Sequence, residues 1–306
     1  MTLRINLAAI IFLAGASGAS AQIDTYPNKP VRWVIPFQPG GGTDMVARPI
    51  AAKLTDRLGQ QILYDNRGGG GGVIAGEIVA NANPDGYTLL VAAVAVMTVT
   101  GSLQKMPFDP IKDFTPITKF ANVPNMLASR TALPISRIQE IAPYAKANPG
   151  KLRWALSGTG SAGTLSMELF RLITGIDIIP IPYKGAGPAM IAVVSNEADL
   201  MFANPAVFMP HIKGGRLRAL GAASLQRIAA LPDMPTFHES GFPGFESQSW
   251  YGLAAPARTP AAIVALWHKE TVVVLNQPDI VARITQDGGM PVGNTPQKFA
   301  QEIRDE

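Results

Sequence analysis

Pro36-Phe37-Gln38-Pro39-Gly40-Gly41-Gly42-Thr43-Asp44 separates an apolar run, Val31 to Ile35, from a helix-like run that begins at Met45. Strand, glycine turn and helix in that order make the first half of a βαβ unit. Glycine permits the sharp turn and removes the Cβ that would keep a ligand away from the amides of the helix start. Those amides and the helix dipole attract an anion. The loop predicts an anion site, and leaves open whether the anion is a nucleotide phosphate or a carboxylate.

Around this loop the periodicity predicts a strand over Val31–Pro36, a helix over Met45–Leu58, a strand over Gln61–Asn66, a helix over Val73–Asn81 and a strand over Thr88–Ala93. The alternation is that of an α/β fold with a mostly parallel sheet covered by helices on both faces. The apolar run Leu89 to Val99 is half the length of a membrane span and reads as a buried strand. After a Pro-rich stretch a second series follows. It predicts helices over Arg137–Asn148, Leu165–Thr174 and Ala186–Ser195, with strands over Leu152–Leu156, Asp177–Pro182 and Ala198–Ala203. Two such series imply two lobes. The segments NMLASRTALP, from Asn125, and YGLAAPARTP, from Tyr251, share a strand-like start, a small-residue turn and a helix-opening Pro. They read as paired hinge strands, which makes the second lobe (residues 124–245) an insertion into the first (22–123 plus 246–306).

The chain of 306 residues is 47% hydrophobic and 16% charged, which excludes disorder. Its formal charge of +4 is scattered, without a basic stripe, so nothing in it fits nucleic acid. Residues 1–21 carry one Arg, an apolar core from Leu7 to Ala14 and a small-residue end at Ala19-Ser20-Ala21, the pattern of a secretory signal peptide. The mature chain is expected to be exported to the periplasm, to insert in no membrane and to be a monomer. With no cysteine, disulfides, thiol catalysis and a lipobox anchor are excluded. The histidines, His211, His238 and His268, show no metal-ligand spacing, so no metal or cofactor is expected.

Two further glycine loops occur, Gly68 to Gly72 and Ser157-Gly158-Thr159-Gly160-Ser161-Ala162-Gly163-Thr164. The second holds a literal G-x-G-x-x-G between a strand and a helix, the context of a dinucleotide fingerprint. The acidic residue that would read the ribose, Asp177, opens the next strand instead of closing it, so an exported dinucleotide-dependent oxidoreductase is the weaker reading. No loop ends in Gly-Lys-Ser/Thr, and Ser161 lacks the glycine of a hydrolase elbow. Asp44 reads better as an N-cap or loop support than as a base. What remains is binding: two glycine loops, one per lobe, gripping a small anion with backbone amides and the hydroxyls of Thr43, Ser157, Ser161 and Thr164. For Gly68 to Gly72, tight turning alone is an equal alternative.

The segments YPNKPVRWVIPFQPGGGTD, NPDGYTLL, PFDPIKDFTPI, SGTGSAGTLSMELF, IPYKGAGPAM and SWYGLAAPARTP together resemble the periplasmic solute-binding proteins of the tripartite tricarboxylate transporter family, the Bug receptors. The resemblance implies a two-lobed type II periplasmic-binding fold, no enzymatic activity, and capture of a small carboxylate for delivery to a membrane permease. Presentation of the ligand to a signalling partner is the alternative use. The implied ligand-binding residues are Phe37, Gln38, Gly41, Thr43 and Asp44 in the first loop, Ser157, Gly158, Gly160, Ser161, Ala162, Gly163 and Thr164 in the second, and Asn204. Relatives often carry His at the position of Thr164 and Asp at that of Ala203. Their absence makes the cleft more neutral and favours a monocarboxylate or aromatic carboxylate over a citrate-like trianion.

Overall fold

The computed structural model describes residues 26–306, so the expected signal segment lies outside the described residues. In the first lobe β1 (Val31–Ile35) leads to α1 (Gly42–Leu58), β2 (Ile62–Asn66) to α2 (Val73–Ala80), and β3 (Thr88–Ala93) through a helical turn to α3 (Thr100–Leu103). Next, β4 (Phe114–Pro124) carries the chain out, and β5 (Met126–Arg130) begins the second lobe. That lobe continues with α4 (Ile141–Ala147), β6 (Arg153–Leu156), α5 (Ala162–Thr174), β7 (Ile179–Pro182), α6 (Ala186–Val194), β8 (Leu200–Ala203), α7 (Pro205–Lys213) and β9 (Leu217–Ala222). The chain returns through β10 (Gln248–Pro256) and ends in α8 (Ala261–Leu275), α9 (Pro278–Gln286), β11 (Met290–Pro291) and α10 (Pro296–Asp305).

Two separate mixed sheets result, in the orders β11-β4-β10-β3-β1-β2 and β7-β6-β8-β5-β9. The parallel pairings lie where the βαβ alternation predicts them, among β1, β2 and β3 and among β6, β7 and β8. The strands next to the lobe crossing, β4, β5, β9, β10 and β11, pair antiparallel. Each sheet is buried on both faces. In β1, Val31, Trp33 and Ile35 point into one apolar cluster and Val34 into another. Trp154 and Leu156 of β6 likewise face one cluster and Ala155 the opposite one. Burial on both faces replaces alternation with continuous apolar runs. At the free edge of the second sheet, the Ile179 and Tyr183 amides donate inward to Leu152 and Leu156. By alternation, residues 180 and 182 face outward, and both are proline, which leaves that edge no amide to offer a foreign strand.

Two sequence expectations change. The run Leu89 to Val99 is a strand only to Ala93; residues Ala95–Val99 are helical. A stretch apolar on all sides carries no period to separate the two. The NMLASR and YGLAAP strands do not pair with each other, because β5 lies between β8 and β9 while β10 lies between β4 and β3. The crossing chains touch just before those strands: the Asn125 amide donates to the Ser247 carbonyl at 3.0 Å, and Ala223 joins both, donating to Asn125 and accepting from Ser247. Among the described residues no helix is long and apolar enough to cross a membrane.

Candidate functional site

In an α/β sheet a ligand crevice opens at the carboxyl ends of the parallel strands, where each strand hands over to a helix. Here β1, β3, β6, β7 and β8 send their following turns to one point between the lobes. Those turns supply Phe37, Gly41, Gly42 and Thr43; Ala93, Val94 and Ala95; Ser157, Ser161, Ala162 and Gly163; Ala186; and Ala203 and Asn204. The crossing region adds Asn125, Ser249 and Tyr251. The cavity they enclose has a volume of about 50 Å3, room for several water molecules. Phe37 and Ser157 separate it from an outer chamber of about 150 Å3, lined also by Gly69 to Gly71, Gly158, Thr159 and Pro182 to Lys184.

Among the described residues, no side chain on the inner wall is ionisable apart from the Tyr251 phenol. Its favourable field for an anion comes from helix starts: α1, α5, α6 and α7 all begin at this wall. First-turn amides have no acceptor within their own helix and carry the positive end of its dipole. Ser161 is the N-cap of α5 and accepts the Thr164 amide at 3.2 Å. Ser157 donates to Ser161 at 2.9 Å, and Thr164 Oγ1 donates to the Gly158 carbonyl at 2.8 Å, which holds the loop in shape.

At the floor, Asn204 Nδ2 donates across the lobes to the Val123 carbonyl at 3.2 Å, and its Oδ1 accepts from the Tyr251 hydroxyl. Burial pushes the Tyr251 pKa up to about 12, against the hydrogen bonds with Ser249 and Thr43 that lower it. The phenol is therefore a neutral donor across the physiological range. A Cβ on Gly42 would stand 2.0 Å from Asn204 Oδ1 and 2.4 Å from the Tyr251 oxygen, so a larger residue there would have to displace this hydrogen-bonded pair.

Of the residues named from sequence, Phe37, Gly41, Thr43, Ser157, Ser161, Ala162, Gly163 and Asn204 stand together on the inner wall. Gly158 lines the outer chamber, and Gln38 lines neither chamber but a neighbouring groove that it shares with Pro39, Tyr183 and Lys184, its backbone amide donating to the Lys184 carbonyl at 3.2 Å. Gly160 packs against Val99, Thr100 and Leu103. Thr164 braces the loop from behind. Asp44 faces away from the cavity: its carboxylate accepts the Gly40 amide at 2.8 Å, pairs with Arg48 at 3.0 Å and accepts from Asn66. Nor is Asp44 the N-cap, which is Gly41; it supports the loop from the third helical position.

Asn125, Ser249 and Tyr251 are absent from the sequence-derived set. Ser249 and Tyr251 lie inside β10 and Asn125 at the junction of β4 and β5, and no local motif marks any of the three. In the G-x-G-x-x-G stretch, a Cβ on Gly163 would meet the Phe202 carbonyl at 2.3 Å, so that glycine serves close helix-to-strand packing.

A sequence model for the "Tripartite tricarboxylate transporter family receptor" matches residues 46–306. Protein BugT of Bordetella pertussis is 35% identical over 97% of this chain and 92% of its own length. Among solved structures, R. palustris Rpa4515 with adipate superposes with a TM-score of 0.88 at 34% identity, over 92% of this chain and 94% of that one. MatC (Rpa3494) from Rhodopseudomonas palustris with bound malate gives 0.87 at 34% identity, over 92% and 97%.

Proposed function

The chain belongs to the tripartite tricarboxylate transporter receptor family, and on that premise we propose that it binds a small organic carboxylate between its lobes and delivers it to membrane permease subunits. Members and structural neighbours of this kind are periplasmic solute-binding proteins, not enzymes. The observation that carries the reading is a wall with helix starts from both lobes and no charged side chain. Such a wall suits one carboxylate, held by amides of α1 and α5 with the hydroxyls of Thr43, Ser157, Ser161 and Tyr251. It suits a cation or a polyanion badly, because a second buried charge would go unpaired. The remainder of the ligand extends past Phe37 into the outer chamber. The lobes divide near residues 124 and 245, and closure turns about Asn125, Ala223 and Ser247.

The test is a thermal-shift screen of the chain from Gln22 onward against malate, adipate and a series of aliphatic and aromatic monocarboxylates. Ligand bound to the folded state alone adds about 2.7 kcal/mol at a hundredfold excess over Kd. Stabilisation by one or a few carboxylates is expected. A flat response from protein verified free of co-purified ligand would refute the reading, and stabilisation by NAD or NADP alone would replace it with the oxidoreductase.

A further inference from the structure

We propose that Gly187 and Gly68 set how far the lobes close, so that the rim of the cleft is a contact between the backbones of the two lobes. The inference rests on the two-lobed fold and holds whatever ligand is bound. At the edge of the cavity the loop of residues 38–41 meets the start of α6 across the rim. The Gln38 amide of the first lobe donates to the Lys184 carbonyl of the second at 3.2 Å. A Cβ on Gly187 would lie 2.6 Å from the Pro39 carbonyl oxygen of the first lobe, and one on Gly68 would lie 3.0 Å from the Lys184 carbonyl oxygen across the rim and 2.9 Å from the Gln38 nitrogen of its own lobe. These neighbours are main-chain atoms, which cannot swing aside as the end of a side chain can.

Neither residue has a left-handed φ, so backbone conformation does not demand glycine at either place. Gly187 is the second residue of α6, where alanine would favour the helix by up to about 1 kcal/mol. Within its own lobe this glycine is a small liability, and the opposing lobe supplies the reason for it. Gly68 opens the five-glycine run, which thereby gains a role besides turning: the run is the first lobe's side of the rim. In the same run, Gly71 comes up against the Thr159 carbonyl of the second lobe, where a Cβ would stand 2.6 Å away. A methyl at 187 or 68 wedges the rim open, lowers the closed fraction and weakens ligand affinity in proportion.

Because the chain has no cysteine, an introduced pair reports closure without any ligand. A Cβ on Gly41 would stand 3.6 Å from the Ala186 Cβ, inside the disulfide range of about 3.5–4.5 Å. The Gly41→Cys/Ala186→Cys protein is expected to cross-link in a glutathione redox buffer, read by mass and by mobility on a non-reducing gel. Adding Gly187→Ala should slow cross-linking at least about tenfold, the factor by which the closed fraction falls. Gly68→Ala, remote in sequence from the cysteine pair, should slow it too. In the reduced, ligand-free protein, Gly187→Ala should melt no lower than its parent. Parent-like cross-linking in Gly187→Ala, a lowered melting temperature in the reduced state, or a parent pair that never cross-links would each overturn the proposal.

Discussion

The Ser161 hydroxyl accepts the Thr164 amide and lies 2.9 Å from the hydroxyls of both Ser157 and Thr164. It caps α5 and faces the cavity, so two substitutions separate the roles. Ser161→Ala removes the cap and should lower stability by about 1 kcal/mol, read from the denaturant midpoint. Ser161→Asp keeps a capping oxygen and places a negative charge at a helix start, which favours the fold by about 0.3–1 kcal/mol. The same charge occupies the anion position, and like charges in a closed, poorly hydrated cleft repel far more than in water. The Asp variant should therefore show a native circular dichroism spectrum and no carboxylate binding by calorimetry. Near-wild-type affinity would place the anion elsewhere. Thr159→Asp, in the outer chamber, should weaken binding much less.

At the level of elements, Asp199 ties three strands of the second sheet at the head of β8. Its carboxylate accepts from the Arg130 guanidinium at 2.6 Å, from the Arg153 amide at 2.8 Å and from the Arg153 guanidinium. Burial pushes its pKa up, but the hydrogen bonds from Arg153 and Arg130 outweigh burial and hold the carboxyl below the usual carboxylate range. A depressed folded-state pKa contributes stability that is present above the unfolded value, near pH 4, and is lost as pH falls through the folded one. Asp199→Asn should lower stability by about 1–2 kcal/mol at neutral pH, because it removes the carboxylate from two guanidinium groups that water reaches only in part. It should also flatten the acid limb of stability against pH. A variant with wild-type stability and an unchanged acid limb would remove Asp199 from this role.

Part of this arrangement is legible in the sequence. β1, α1, β2, α2 and β3 follow from run length and punctuation, since glycine and proline mark each turn. The helical turn of Ala95–Val99 is invisible because Thr98 is its one polar residue, too little to set a period. Glycine loops announced the parts of the site that turn sharply. Tyr251, Ser249 and Asn125 stayed hidden, because their polar groups meet only through the pairing of β4 with β10 and the lobe crossing, which no local pattern encodes.

For the whole molecule, the proposed binding requires uncharged donors from two lobes to hold a carboxylate by its charge. The direct measurement is calorimetric titration of the best carboxylate from the thermal-shift screen alongside its primary amide, which keeps the shape and removes the charge. Charge-assisted hydrogen bonds are about twice as strong as neutral ones, and each helix start adds about 0.3–1 kcal/mol for an anion. The amide should bind at least about thirtyfold more weakly, a difference of roughly 2 kcal/mol. Equal affinity for acid and amide would contradict the claim.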